Sequence, residues 1–132
     1  MADSIPMSAP CPFCTLPAKR IVDRNELAVA VRDAYPVAPG HTLVIPMRHV
    51  ESFFELDDAE QAAMLALLRR AHERLAAEMA PHGFNVGLND GAAAGQTVPH
   101  VHLHLIPRFR GDVDDPRGGV RWVVPRKARY WP

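Results

Sequence analysis

Neither sign of charge is in excess in this chain of 132 residues: fifteen Lys plus Arg stand against fifteen Asp plus Glu. A protein that grips long nucleic acid carries a basic footprint, so that class is excluded and any phosphate-bearing partner is expected to be small. Long hydrophobic runs are missing too. The longest, Ala62 to Leu68, is seven residues, against the eighteen or more that a membrane-spanning helix needs, so no membrane partner is expected. No Lys or Arg precedes Lys19, and Asp3, Pro6, Pro10 and Pro12 interrupt the start. Without a basic stretch followed by an apolar one, the N-terminus does not read as a secretory signal, and a cytoplasmic location is expected. Cysteine is confined to Cys11 and Cys14. In a reducing compartment a Cys-x-x-Cys pair reads as metal ligands or a redox pair rather than a structural disulfide.

What is present suffices for one domain. With 48% hydrophobic and 23% charged residues the composition is that of a globular protein with a single core. Residues 1–10 are small, polar and Pro-rich, and read as a flexible arm. Glu26 to Arg32 and Thr42 to Pro46 are strand-like runs separated by the turn signal Pro36 to Gly40, which predicts adjacent antiparallel strands. Asp57 followed by Glu60 is a capping box, and Met64, Leu67, Leu68, Ala71, Leu75 and Met79 form one helical stripe behind it. Arg69 with Glu73 and Arg74 with Glu78 are i,i+4 charge pairs, and Pro81 with Gly83 ends the helix. Phe84 to Leu88 reads as a strand, Gly91 to Val98 as a small-residue loop, and His100 to Pro107 as the last strand. Residues 108–132 hold seven Lys or Arg and three Asp, an irregular basic tail with a net charge of +4.

The informative segment is His100-Val101-His102-Leu103-His104-Leu105-Ile106. Alternation along a strand puts His100, His102 and His104 on one side at intervals of about 6.6 Å, and Val101, Leu103 and Leu105 on the other. A row of three imidazoles opposite a core face is a functional pattern, since Thr or Lys would serve a merely solvated strand as well. Two chemistries use such a row. A catalytic metal wants a carboxylate ligand soon after His-x-His, but no Glu follows Glu78 and the first acidic residue beyond the row is Asp112. Nucleophilic catalysis is favoured instead: a neutral imidazole attacks phosphorus while its neighbours hold its tautomer and stabilise charge. The loop Gly91 to Val98 leads straight into the row, and it is not a P-loop, because no Gly-Lys-Ser or Gly-Lys-Thr occurs in it.

The segment His100 to Ile106 resembles the histidine triad motif, His-φ-His-φ-His-φ-φ. Asn89-Asp90-Gly91 with Gly95-Gln96-Thr97-Val98 resembles the same family's approach to that strand. Asp33, Pro36 to Gly40, His41, Leu43-Val44-Ile45-Pro46 and His49 resemble its nucleotide-binding half, so the likeness covers about residues 11–112. It implies an α+β fold, with an antiparallel sheet of about five strands, one long helix and a short helix, as a homodimer. The tail, 113–132, would pack on the domain or the dimer. The implied activity is hydrolysis or transfer on compounds of AMP joined to a leaving group, through a nucleotidyl-histidine intermediate. The alternatives are a dinucleoside polyphosphate phosphorylase and a nucleotide-binding regulatory module with little turnover. Carried over by position, His102 is the nucleophile and His100 and His104 its flanking partners. Gln96 contacts a phosphate or bridging oxygen, Thr97 the leaving group, and Asp33 with Asn89 the ribose and phosphate.

Cys11 and Cys14 supply two ligands where a structural zinc needs four. His49 and His100 are the candidates for the remaining two, and family members with this Cys-x-x-Cys lead resemble zinc proteins completed at those positions. A dithiol redox pair and unligated thiols are the other readings. His41, His72 and His82 take ordinary structural readings, and Trp122, Tyr130 and Trp131 are expected to pack the tail on the body.

Overall fold

The computed structural model describes residues 10–132; of the expected N-terminal arm, residues 1–9 lie outside the described residues. Five strands form one antiparallel sheet in the order β1-β2-β3-β5-β4. They are β1 (Ile21–Arg24), β2 (Ala28–Arg32), β3 (Thr42–Pro46), β4 (Gly83–Leu88) and β5 (Leu103–Arg108). The long helix α1 (Asp58–Met79) lies on one face, and a one-turn helix, α2 (Pro125–Ala128), closes the chain. The α+β expectation is met.

Strand alternation sorts the core. Ala28, Ala30, Val44, Val101 and Leu103 bury against Met64 and Leu67 of α1, and Leu105 against Ala71 and Leu75. On the opposite face Val29, Val31, Leu43 and Ile45 are covered by Phe13, Leu16 and Ile21. The N-terminal segment thus roofs the second face of the sheet, which brings the cysteines over the strands. Asp57 and Glu60 form the reciprocal capping box, at 2.8 and 3.1 Å. Glu60 also takes Arg48 through two hydrogen bonds at 2.7 and 3.0 Å, which fixes the connection carrying His49.

Several local expectations are corrected. β2 begins at Ala28 rather than Glu26, because Asn25 Oδ1 accepts the amides of Leu27 and Ala28 and turns the chain. β1 was not expected at all. Of the two expected i,i+4 pairs, Arg69–Glu73 forms, at 3.6 Å, while Arg74 donates to the Val22 carbonyl and Glu78 faces Arg32 at 4.0 Å. Ala80 itself takes the left-handed helix-ending conformation, with φ 47°, before Pro81. Gly40 sits at φ +84°, and a Cβ there would meet Met79 Sδ at 2.7 Å and Leu75 Cδ2 at 2.9 Å. Its bare backbone lets the β2–β3 turn close over the end of α1 and deliver His41 into the sheet. In the tail, a 3₁₀ turn at Gly119–Val123 and α2 replace the expected irregular chain. Trp122 donates to the Arg117 carbonyl, Trp131 lies under the Arg117 guanidinium and Tyr130 under that of Arg121, so these contacts tie the tail to itself, where packing on the body was expected.

Candidate active site

The histidine row lies only partly on a strand. Ladder pairing begins at Val44 with Leu103, so β5 contains His104 while His100 and His102 precede it, where a strand from His100 was expected. Val101 donates its amide to the Val50 carbonyl instead of to β3, and the Pro46 carbonyl is taken by the His100 ring, at 2.8 Å. The row is not solvent-facing. His100 is wholly buried and His102 is 9% exposed, with the Phe13 ring edge-on to His100 and tilted against His102.

Hydrogen bonds fix the tautomers one by one. His102 Nδ1 lies 2.9 Å from the His100 carbonyl, which only accepts, so Nδ1 carries the proton and Nε2 keeps a free lone pair. The Val37 amide donates to His41 Nδ1 at 3.1 Å, which puts the His41 proton on Nε2. That proton is directed at His104 Nδ1, 2.9 Å away, with Asp33 Oδ2 at 3.4 Å. His104 therefore presents Nε2–H as a donor beside the His102 ring, their centroids 5.2 Å apart. Burial, followed by the neighbouring His102 and His41, pushes His104 down to about 4. It stays neutral at neutral pH.

In the unfolded chain His104 protonates near 6.5, in the folded chain near 4. Its contribution to stability is full above about pH 6.5 and is lost as the pH falls toward 4. Burial lowers His41 in the same sense, against the pull of Asp33. Between pH 7 and pH 4.5 the Tm of the wild type should fall more steeply than that of His104→Asn; parallel falls would contradict the assignment.

The pocket above this relay has a volume of about 630 Å³. His102, His104 and His41 share its lining with Asp33, Asn89 and Thr97. Leu43, from the segment that resembles the nucleotide-binding half, is in the wall too, together with Phe13, Arg20 and Tyr35, which were not singled out from the sequence. Gln96 is placed otherwise than a phosphate contact requires. Its Oε1 accepts the Gly91 amide at 2.7 Å, and its Nε2 donates to the carbonyls of Glu51 and Val98 at 2.8 and 3.1 Å. The side chain is spent shaping the Gly91 to Val98 loop. A second cavity, of about 610 Å³, lies under the tail. It holds none of the candidate residues, and its Arg108 is paired to Asp112.

Two clusters have donor atoms close enough together for a metal, with all donors within 4.8 Å: Cys11, Cys14, His49 and His100, and separately Asp33, His41 and His104. Tautomers distinguish them. A ligating imidazole gives its lone pair to the ion and carries its proton on the other nitrogen, where an acceptor should face it. His100 obeys this, since its Nε2–H donates to Pro46 and leaves Nδ1 free 3.4 Å from Cys11 Sγ and 3.1 Å from His49 Nδ1. Cys14 Sγ lies 3.1 Å from His49 Nδ1. Tetrahedral zinc with Zn–N near 2.0 Å and Zn–S near 2.3 Å sets its ligands about 3.3–3.8 Å apart, so the donor set fits. His41 fails the rule: with a metal on Nε2 its proton would move to Nδ1 and face the Val37 amide, donor against donor. Burial and Cys11 push the Cys14 thiol up, whereas a reactive redox cysteine needs the opposite.

A family model described as HIT domain matches residues 16–111, most of the chain. The chain belongs to the HIT family. This HIT protein is 41% identical over 95 residues to an AP-4-A phosphorylase of Mycobacterium tuberculosis, a match covering 71% of this chain and 49% of that one. It is 37% identical over 92 residues to an asymmetrical bis(5'-nucleosyl)-tetraphosphatase of Schizosaccharomyces pombe, covering 70% and 50%. The chain thus spans about half the length of these curated relatives. Among solved structures, a Zn-bound histidine triad family protein from Mycobacterium smegmatis superposes with a TM-score of 0.70 at 35% identity, covering 77% of each chain. No helix among the described residues is long and apolar enough to cross a membrane.

Proposed function

We propose that this HIT protein is a nucleotide hydrolase or transferase that cleaves a phosphoanhydride or phosphoramidate bond at the α-phosphate of an AMP-type nucleotide. The observation that carries the reading is the His102 ring, locked by the His100 carbonyl with Nε2 free in a pocket that also contains Asp33. Relatives named as an AP-4-A phosphorylase and a bis(5'-nucleosyl)-tetraphosphatase support the substrate class.

His102 Nε2 attacks phosphorus, the bond from phosphorus to the leaving group breaks, and that group departs with the electron pair and takes a proton from solvent, which the later attack of water returns. The Nε2–H of neutral His104 is placed to stabilise a nonbridging oxygen, and the Thr97 hydroxyl to contact the leaving group. Water then attacks the nucleotidyl-histidine, releasing the monophosphate and restoring His102; in a phosphorylase, inorganic phosphate takes the place of water. His100 serves through its carbonyl, and Gln96 through the loop it shapes. Cys11, Cys14, His49 and His100 would hold a zinc whose role is structural. The homodimer and the cytoplasmic location belong to this proposal as well.

Turnover of an adenosine phosphoramidate and of a dinucleoside polyphosphate, each with and without inorganic phosphate, tests the reading. Cleavage of at least one to a nucleoside monophosphate or diphosphate is expected. Tight nucleotide binding with no turnover of either would favour the regulatory module instead. Asp33 supplies a second test. A carboxylate accepting from both ribose hydroxyls contributes about 1.5–3 kcal/mol, so Asp33→Ala should weaken a ribonucleotide roughly ten- to hundred-fold and a 2′-deoxynucleotide less. In an enzyme kcat/KM should fall at least as far as affinity. Equal losses for the two sugars would remove Asp33 from the ribose site.

A further inference from the structure

Cys11 and Cys14 are the only cysteines of the chain, and the two residues they enclose, Pro12 and Phe13, both belong to the wall of the candidate active site. The Phe13 ring has its centroid 6.0 Å from that of His100 and 5.0 Å from that of His102. The two sulfurs are thus tied to the pocket twice: through Phe13 between them, and through His100, whose ring faces the cluster while its carbonyl holds His102. The Cys14 amide donates to the Cys11 carbonyl at 3.2 Å. A turn closed in this way keeps its end Cα atoms within about 7 Å, the upper limit for a disulfide. Cys14 is exposed and Cys11 half-buried, so a small oxidant reaches Cys14 from solvent. As a free thiol Cys14 is a poor target, raised by burial and by Cys11. As ligands of a divalent cation both sulfurs are thiolates, the form that attacks a peroxide.

We propose that the Cys11–Cys14 pair is a site of reversible oxidation by hydroperoxides, which empties the metal cluster and loosens the nucleotide pocket, an inference that rests on the four-ligand reading of the cluster. Cys14 Sγ attacks a peroxide oxygen, the O–O bond breaks, and the sulfur becomes a sulfenic acid as hydroxide leaves. Cys11 Sγ then attacks that sulfur, the S–S bond forms and a second hydroxide leaves. Two protons from solvent turn both hydroxides into water; the sulfurs have lost two electrons and the peroxide has gained them. A disulfide offers no thiolate, so His49 and His100 are left as two ligands where a structural zinc needs four. Sulfurs that a zinc holds about 3.8 Å apart draw in to about 2 Å, and Phe13, between them in the chain, moves with them.

Protein prepared without chelators, titrated with hydrogen peroxide, tests this. The readouts are zinc released to a chromogenic chelator, the mass of the peptide holding both cysteines after alkylation, and the calorimetric Kd for AMP. One zinc per chain should leave as that peptide loses two hydrogens and can no longer be alkylated. AMP affinity should fall roughly five- to hundred-fold, the usual range of coupling between two sites, and a dithiol with added zinc should restore it. Cys14→His keeps four ligands but has no second sulfur, so it should hold its zinc and its AMP affinity at peroxide concentrations that empty the wild type. Zinc retained by the wild type with both cysteines still reduced would overturn the inference, as would cysteines driven to sulfinic or sulfonic acid without a disulfide. A disulfide that leaves AMP affinity unchanged, or an equal loss of affinity in Cys14→His, would overturn it too. Protein without zinc before oxidation would remove the four-ligand reading, and this inference with it. If the reduced, zinc-loaded protein bound no AMP, the nucleotide reading would fall, and with it the link from the cysteines to the pocket.

Discussion

His102→Ala should abolish turnover while leaving the affinity for AMP within a few-fold of the wild type. The ring is held by one hydrogen bond, from Nδ1 to the His100 carbonyl at 2.9 Å, and its free nitrogen is the only part the proposed chemistry uses. Loss of an essential nucleophile typically costs about a thousand-fold or more in kcat. The proposal assigns affinity to other groups that line the pocket, Asp33, Asn89 and Phe13 among them. His102→Gln, which can still bond the carbonyl, should be equally inactive, separating the loss of the nucleophile from the loss of a packed ring. Substantial kcat in either variant would exclude a covalent path through His102.

Loss of the Cys-His cluster is expected to have the second large effect. Protein prepared without chelators should contain one zinc per chain, and Cys11→Ser should lower both metal content and Tm. Structural zinc can contribute on the order of 10 kcal/mol to folding its ligand segments. Those segments roof the β2–β3 face through Phe13 and Leu16, so the damage should spread to the pocket wall. His100 couples the two sites, because its ring belongs to the cluster while its carbonyl orients His102. Zinc removal should therefore depress kcat as well as Tm. Metal-free protein of unchanged stability in the serine variant would refute the assignment.

The parts of this molecule legible in the sequence are those whose causes are local. Asp57 and Glu60 sit three residues apart and cap α1 as their spacing requires, and Thr42 to Pro46 is a strand by composition alone. β1 was not legible because Ile21 and Val22 are its only apolar residues and its partner β2 makes it a strand. His41 looked ordinary for a similar reason. Its meaning comes from His104, 63 residues away, and from the Val37 amide that sets its tautomer. The spacing of His100, His102 and His104 suggested three equivalent rings, but the Val101 amide bonds to Val50, and the ladder takes in His104 and leaves out His100 and His102. Their surroundings differ: the His100 ring faces the Cys-His cluster, the His102 ring keeps Nε2 free in the pocket, and His104 takes His41 on Nδ1. Gln96 shows the converse, a side chain whose pattern resembled a ligand contact and whose amide is taken up by its own loop and by the Glu51 carbonyl.

The central claim is a nucleotide bonded covalently to His102, and rapid quenching during turnover tests it most directly. Mixing the protein with a phosphorus-labelled adenosine phosphoramidate or dinucleoside polyphosphate and quenching in alkali, where phosphohistidine-type bonds survive, should leave label on it. Peptide mapping should place that label on His102, at a level that rises within the first turnover and disappears as substrate is exhausted. Turnover with no protein-bound label at any quench time, or label on another residue that persists in His102→Ala, would contradict the account.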